Sequence, residues 1–442
     1  MLMTEGKVYK NLINFALPIF LGNILFQLYN TTDAVILGHF IGKDALASVG
    51  VAAPIMNILI FFIVGLTLGA SILMAEFYGT NDIKKLKNEI ATVTKAGIIF
   101  IILLSSIAYL SVNKILLLLN TPNEIIKYSE GYLKIIFSGL IFCFLYNNFT
   151  AQLRAIGDSK TPSIILFISI VLNIILDIVF IKYLQLGVNG AAYATILAQC
   201  IGSIILLINI HLRNPQLRLR LKEYIIDLSL LKTTTKYSIS YAIQQTVIFL
   251  GNILIQGIVN PLGINSIAAF NAASRVDGFI LAPGDSMGAA LTTFISQNRG
   301  ANKNDRIFTG FKNSIIISFI YCFIISIITL SFSGEIMHLF INSSEKEAIY
   351  LGKSYIKTIS FFYFLTAFCN TLQGFFRGLG KMDITLIATL IQIPIRIIFA
   401  YILTKYFGIS GIAISMGIGW IFMFIYEATL YKKYYKENQN RN

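Results

Sequence analysis

Twelve apolar runs, each about 20 residues or longer, follow one another with only short polar breaks. They lie near 11–38, 49–76, 93–118, 131–152, 162–183, 189–210, 236–258, 266–297, 309–332, 350–376, 384–405 and 409–431. Backbone polar groups in hydrocarbon have no water to pair with, so such a run is stable across a bilayer only as a helix or within a closed barrel. Runs of this length select the helix. Charged residues are 13% of the chain, against about 25% in soluble domains. A mean hydropathy of +0.74 leaves no room for a large soluble domain. The expected fold class is an all-α polytopic membrane protein with twelve transmembrane helices. The first, second, eighth and tenth runs exceed what the hydrocarbon needs and are expected to tilt or project.

The chain also repeats itself across its midpoint. Arg154-Ala-Ile-Gly157 returns half a chain later as Arg377-Gly-Leu-Gly380. Other echoes fall at nearly the same offset: Gly42 with Gly263, Gly79-Thr80-Asn81 with Gly300-Ala301-Asn302, and Gly187-Val-Asn-Gly190 with Gly408-Ile-Ser-Gly411. Each half holds six runs, an even number. The second half therefore enters the membrane in the same direction as the first, and the pseudo-two-fold repeat is parallel. The expected division is an N-terminal six-helix lobe at 1–210, a cytoplasmic linker at 211–235, a C-terminal six-helix lobe at 236–431 and a tail at 432–442. Duplicated halves in so apolar a chain point to a transporter, in which rocking opens a shared site to either side. The linker pattern Arg218-Leu-Arg-Leu-Lys222 suits a short interfacial helix or a solvated basic loop.

Loop charge sets the orientation. With the N-terminus inside, the inner connections and tails carry more than twice the Lys and Arg of the outer ones. Both termini are thus expected in the cytoplasm of a multi-pass protein of the cytoplasmic membrane. The net charge of +14 is spread over these loops, which argues against nucleic acid as a partner. The polar stretch Met1 to Lys10 and the run after it show no cleavable signal pattern.

Cys143, Cys200, Cys322 and Cys369 all sit inside apolar runs, and His39, His211 and His338 are scattered. No metal cluster is expected from them. The chain has no phosphate loop, HExxH or GxSxG. No enzyme activity and no cofactor are expected, and uphill transport would draw on an ion gradient.

Ionisable residues inside a bilayer are costly and usually functional. Asp33 and Asp177 are the first candidates. Asn173 precedes Asp177 by four residues and shares its helix face. Asp177 follows Pro162 by 15 residues, which places it roughly 22 Å up from the inner side. Asp33, Tyr132, Asn173, Asp177 and Thr195 all fall at a similar outer depth in the N-terminal half. A desolvated carboxylate there favours its protonated form and can exchange a proton near neutral pH. The same oxygens could instead hold sodium at Asp33 and Asp177, or hydrogen-bond neighbouring helices. Pro18 interrupts the first run and permits a static bend or a hinge coupled to Asp33. Arg275, Asp277, Asp285 and Arg396, with Gln245, either line a substrate cavity or satisfy one another between helices. Arg275 and Asp277 are two apart and do not share a face. Glu76 and Glu335 lie near run ends and read as solvated.

These segments together carry a family resemblance. Ala16-Leu-Pro18-Ile, Asp33-Ala-Val-Ile-Leu-Gly38, Ala53-Pro54, Gly79-Thr-Asn, Arg154-Ala-Ile-Gly157-Asp, Asn173 to Asp177, Gln297-Asn298-Arg-Gly300-Ala301 and Arg377-Gly-Leu-Gly380 occur in order over the whole chain. The chain resembles the multidrug and toxic compound extrusion (MATE) family, closer to its DinF-like and related branches than to the NorM-like one. The resemblance implies a cation-coupled exporter with two six-helix lobes arranged as a V. Position by position, it implies an N-lobe cation or proton site at Asp33, Tyr132, Asn173, Asp177 and Thr195, and a bend of the first helix at Pro18. NorM-like members carry acids in the seventh and tenth spans. Here those stretches read Ala242-Ile-Gln244-Gln245-Thr246 and Leu365-Thr366-Ala-Phe-Cys369, without a carboxylate. Coupling is therefore expected to rest on the N-terminal lobe.

The expected function is a secondary active antiporter that exports amphipathic, cationic drugs or metabolites in exchange for H+ or Na+ by rocking of the lobes. Its partners are small organic substrates and the lipid bilayer, and it is expected as a monomer. The alternative is a lipid-linked oligosaccharide flippase of the same broad superfamily. Twelve spans and only two intramembrane arginines argue against that alternative.

Overall fold

A computed structural model describes residues 2–439, with side chains described except at 29–35, 37–39, 43, 44, 46, 221, 438 and 439. Its elements are α1 (Val8–Phe40), α2 (Lys43–Gly79), α3 (Ile83–Leu118), α4 (Asn123–Ser138), α5 (Leu140–Ala155), α6 (Lys160–Asp177) and α7 (Val188–Arg213). Then come α8 (Leu228–Val259), α9 (Ile264–Gly300), α10 (Asn304–Ser331), α11 (Ser333–His338), α12 (Lys346–Ser360), α13 (Tyr363–Gly378), α14 (Met382–Phe407) and α15 (Ile409–Gln439). Among the described residues all regular structure is helical, as the apolar runs require. Nine described helices are long and apolar enough to cross a membrane, and the count rises to 11 when each of two bent pairs is taken as one span. The remaining expected run is α9, with 37 residues. It is long enough, but Arg275, Asp277, Asp285 and many small polar residues dilute its apolar character.

The two bends break runs that the sequence reading treats as single. Gly139 separates α4 from α5 at 45°, and Phe361-Phe362 separate α12 from α13 at 54°. Their packing is reciprocal. A Cβ on Gly139 would lie 2.3 Å from the side chain of Ile196 on α7, and a Cβ on Gly417 of α15 would lie 2.3 Å from the ring of Phe362. One repeat puts the small residue at the bend and the other puts it on the facing helix.

The sequence echoes prove to be a repeat of left-handed backbone. Asn81 and Asn302 have φ of 59° and 55°, Gly157 and Gly380 of 82° and 72°, and Gly187 and Gly408 of 58° and 53°. Gly and Asn tolerate this region where other residues are strained, so these positions survive while the helices between them diverge.

Several helices start before their expected runs, and two of these starts bear on the connection between the repeats. α3 begins at Ile83, well before 93, because Asp82 accepts from the Lys85 N–H at 3.0 Å and caps it. α8 begins at Leu228, ahead of 236. The stretch expected to suit an interfacial helix, Arg218 to Lys222, only runs into a three-residue 3-10 turn, Leu221–Glu223.

The chain forms two compact units: residues 1–2 with 21–242, and residues 3–20 with 243–442. The divisions thus fall within α1 and α8, the first long helix of each repeat. In the second unit Leu12, Phe15 and Ile19 of α1 share a core with Leu291, Phe294 and Phe375. Ahead of α1, Arg306 holds the chain by its backbone. Its Nη1 donates to Gly6 O at 3.0 Å, and its Nη2 donates to Glu5 O at 3.1 Å and Met3 O at 3.2 Å. The Met3 N–H donates to Gln297 Oε1 at 2.8 Å, and Lys303 Nζ donates to Thr4 O at 3.0 Å.

Candidate functional site

In the first unit α7 packs against both α4 and α6. Those three helices carry four of the five expected site residues. Tyr132 on α4, Asn173 and Asp177 on α6 are buried, and Thr195 on α7 is half-buried. Asn173 and Asp177 do share a face. With Ser169 and Ile170 they form the buried stripe of α6, while Val171 and Ile175 are exposed. The Tyr132 hydroxyl donates to Met56 Sδ at 3.7 Å, and Thr195 Oγ1 donates to Ala191 O at 3.0 Å. The side chain of Asp33 lies outside the described residues. Pro18 falls inside the continuous helix α1, two residues before the division between the units.

Asp177 occupies a special backbone position. α6 ends on it, and the next turn, Ile178–Tyr183, is π-helical. Such turns are rare and recur at functional sites. Nothing in the residue types marks this turn, so sequence reasoning could not find it. A narrow apolar pocket adjoins the α4–α5 bend, bounded by Ile60, Cys143, Thr195, Ile196 and Gln199.

The second unit contains a different polar cluster. Asp277 on α9 is buried and accepts from the Tyr363 hydroxyl at 2.6 Å and the Tyr355 hydroxyl at 3.0 Å. The buried Arg396 lies in electrostatic reach of Asp277 and donates from Nη1 to Asn252 Oδ1 at 3.1 Å. Arg275, two residues before Asp277, is exposed. Asp285 accepts from Asn370 Nδ2 at 3.0 Å and is exposed, and Gln245 is half-buried. Glu335 is exposed and Glu76 half-buried.

Two buried acids escaped the sequence reading. Glu427 on α15 has no exposed surface and accepts from Gln373 Nε2 at 2.5 Å. Gln373 Oε1 in turn accepts from Gln244 Nε2 at 2.8 Å. Glu89 on α3 is equally buried and lies 2.6 Å from Thr234 Oγ1. Glu427 stands in a run that hydropathy alone assigns to lipid. Glu89 stands in a stretch that the sequence reading gives to an inner loop. Among the described residues no group of three His, Cys, Asp or Glu could hold a metal ion.

The MatE family model matches the chain twice, over residues 18–179 and 241–402. The start of the second match is displaced from the start of the first by the same spacing that separates Arg377 from Arg154. The chain is similar to the probable multidrug resistance protein YpnP of Bacillus subtilis, 31% identical over 430 residues, covering 95% of this chain and 94% of the relative. Its fold is similar to a multidrug resistance MATE family transporter of the MOP superfamily solved in an outward-facing conformation. That match has a TM-score of 0.89 at 23% identity, covering 97% of this chain and 96% of the other. A MATE protein solved in a bent conformation gives a TM-score of 0.90 at 22% identity, covering 98% of each chain.

Proposed function

The chain belongs to the MatE family, and from that premise we propose that it is an antiporter that exports amphipathic, cationic organic compounds in exchange for H+ or Na+. The observation that carries this reading is the burial of Asn173 and Asp177 on one face of α6, at its junction with a π-helical turn. A buried carboxylate one helical turn from a buried amide can take a proton or supply oxygen ligands to sodium, and either event changes the local charge. Asp33, Tyr132 and Thr195 complete the proposed site. Pro18 is the proposed hinge, since a proline in mid-helix removes one backbone bond and lets α1 bend at little cost.

In this scheme export follows from rocking of two six-helix lobes, 1–210 and 236–431, with both termini in the cytoplasm and the protein acting as a monomer in the cytoplasmic membrane. The name of the Bacillus relative supports drugs as the substrate class. The test uses proteoliposomes loaded with a fluorescent cationic dye. A pH gradient and a sodium gradient are imposed separately. Dye movement driven by one of them supports the reading and identifies the ion. If neither gradient moves any amphiphile while lipid-linked oligosaccharides flip, the flippase reading replaces it.

A further inference from the structure

One stripe of α3 holds the connection between the repeats. Lys95 Nζ donates to Tyr224 O at 3.3 Å, and the Asp227 N–H donates to Thr92 Oγ1 at 3.0 Å. Thr234 Oγ1 lies 2.6 Å from Glu89 Oε1. Glu89, Thr92 and Lys95 are spaced by three and share a helix face. Their partners Thr234, Asp227 and Tyr224 follow in reverse order, so the connection runs antiparallel along α3.

Glu89 has no exposed surface. A buried carboxylate normally pairs with a cation or accepts several hydrogen bonds. Lys85, one turn before Glu89 on α3, pairs instead with Asp82 at 3.4 Å. Glu89 Oε2 is buried with no hydrogen-bond partner. The charge that acts on Glu89 is Asp227 at the start of α8, and it is negative. Hydrogen bonds from the Ser229 hydroxyl and the Leu230 N–H hold Asp227 below the usual carboxylate range, so it stays ionised at neutral pH. Lys84, Lys85 and Lys95 of α3, Lys232 and Lys236 of α8, and Arg218, Arg220 and Lys222 of the connection are all exposed. Lys87 and Glu223 are half-buried, and Glu223 Oε2 accepts from the Arg220 N–H. From the packed helices, Glu76 of α2 is half-buried and Arg154 of α5 faces Tyr146 and Tyr241.

The Thr234 hydroxyl decides where the proton is. It has one hydrogen to donate. Its Oγ1 is 2.9 Å from Leu230 O, the acceptor a helical threonine uses one turn back. Leu230 O can only accept, and so can an ionised Glu89. Two acceptors would compete for one hydrogen unless Glu89 brings its own.

We propose that Glu89 is a proton-binding site: its acid form donates from Oε1 to Thr234 Oγ1, which donates to Leu230 O, and this relay fastens the first turns of α8 to α3. Proton uptake forms one O–H bond on Glu89. Release gives that proton to water and leaves a buried anion facing an oxygen and the charge of Asp227, which frees the connection. The site needs neither substrate nor ion gradient and stands apart from the antiport reading.

The test uses the full chain in lipid nanodiscs. Infrared difference spectra between wild type and Glu89→Gln should contain a protonated-carboxyl band at neutral pH that vanishes at high pH. Hydrogen exchange of residues 224–234, corrected for its intrinsic pH dependence, should lose about tenfold protection over the same range in wild type. In Glu89→Gln, whose amide can still donate to Thr234, protection should hold at every pH. Absence of the infrared band, or the same pH dependence in wild type and Glu89→Gln, overturns the proposal. If Glu89→Gln does not fold, Thr234→Val takes its place: removing the partner of Glu89 Oε1 should shift the protonated-carboxyl band, and a band unmoved in Thr234→Val overturns the proposal.

Discussion

Tyr363 donates its hydroxyl to Asp277 Oδ1 at 2.6 Å, tying α13 to α9 inside the second unit. Tyr355 donates to the other oxygen, and Arg396 supplies the opposing charge. An acid held on both oxygens and faced by a buried cation is part of the frame of the unit. Tyr363→Phe removes one donor and should cost about 1–3 kcal/mol. Asp277→Ala leaves Arg396 buried without its counter-charge and should cost more, about 3–5 kcal/mol. Thermal unfolding in detergent measures both. An Asp277→Ala protein as stable as wild type would show that the cluster does not hold the unit together.

The crossing of α9 and α13 depends on backbone contact. A Cβ on Gly374 would lie 2.5 Å from Gly288 O. Backbone cannot yield as a side chain can, so Gly374→Ala should destabilise by at least the ~1–3 kcal/mol of an overpacked core. Gly257 is the internal control. It is exposed, helical and has nothing within 4 Å of an added Cβ. Gly257→Ala should be neutral or stabilise by up to about 1 kcal/mol, through the lower entropy of the unfolded chain. Equal effects at the two sites, again read by thermal unfolding, would contradict this account.

Arg306 should govern the segment ahead of α1. Its guanidinium reaches three carbonyls in that segment, at Met3, Glu5 and Gly6. Lysine has the charge but lacks the planar fork. Hydrogen exchange at Met3 to Gly6 should therefore rise in Arg306→Ala and nearly as much in Arg306→Lys. Full protection in the lysine variant would mean that charge alone holds the segment.

The legible part of this molecule was whatever hydrophobicity or backbone sign writes locally. Apolar runs gave the helices, and Gly157, Gly380, Asn81 and Asn302 marked the repeat because left-handed turns restrict residue type. The bends were not legible. Gly139 resembles any glycine in a span, and only the packing of Ile196 against it distinguishes it. Phe361-Phe362 carries no breaking signal at all. The shared face of Asn173 and Asp177 followed from their spacing of four, whereas the π-helical turn after Asp177 has no residue signature. Glu89 and Glu427 were missed for opposite reasons. Asp82 caps α3 early and draws Glu89 into the packed interior, and a single acid such as Glu427 barely alters the hydropathy of its run.

Asp177 is the residue proposed to couple an ion gradient to export. The most direct measurement compares wild type with Asp177→Asn in proteoliposomes under whichever imposed gradient drives dye movement, after both proteins show the same thermal unfolding. Gradient-driven transport should be abolished in Asp177→Asn while the protein stays folded. Transport by Asp177→Asn at the wild-type rate under that gradient would contradict it.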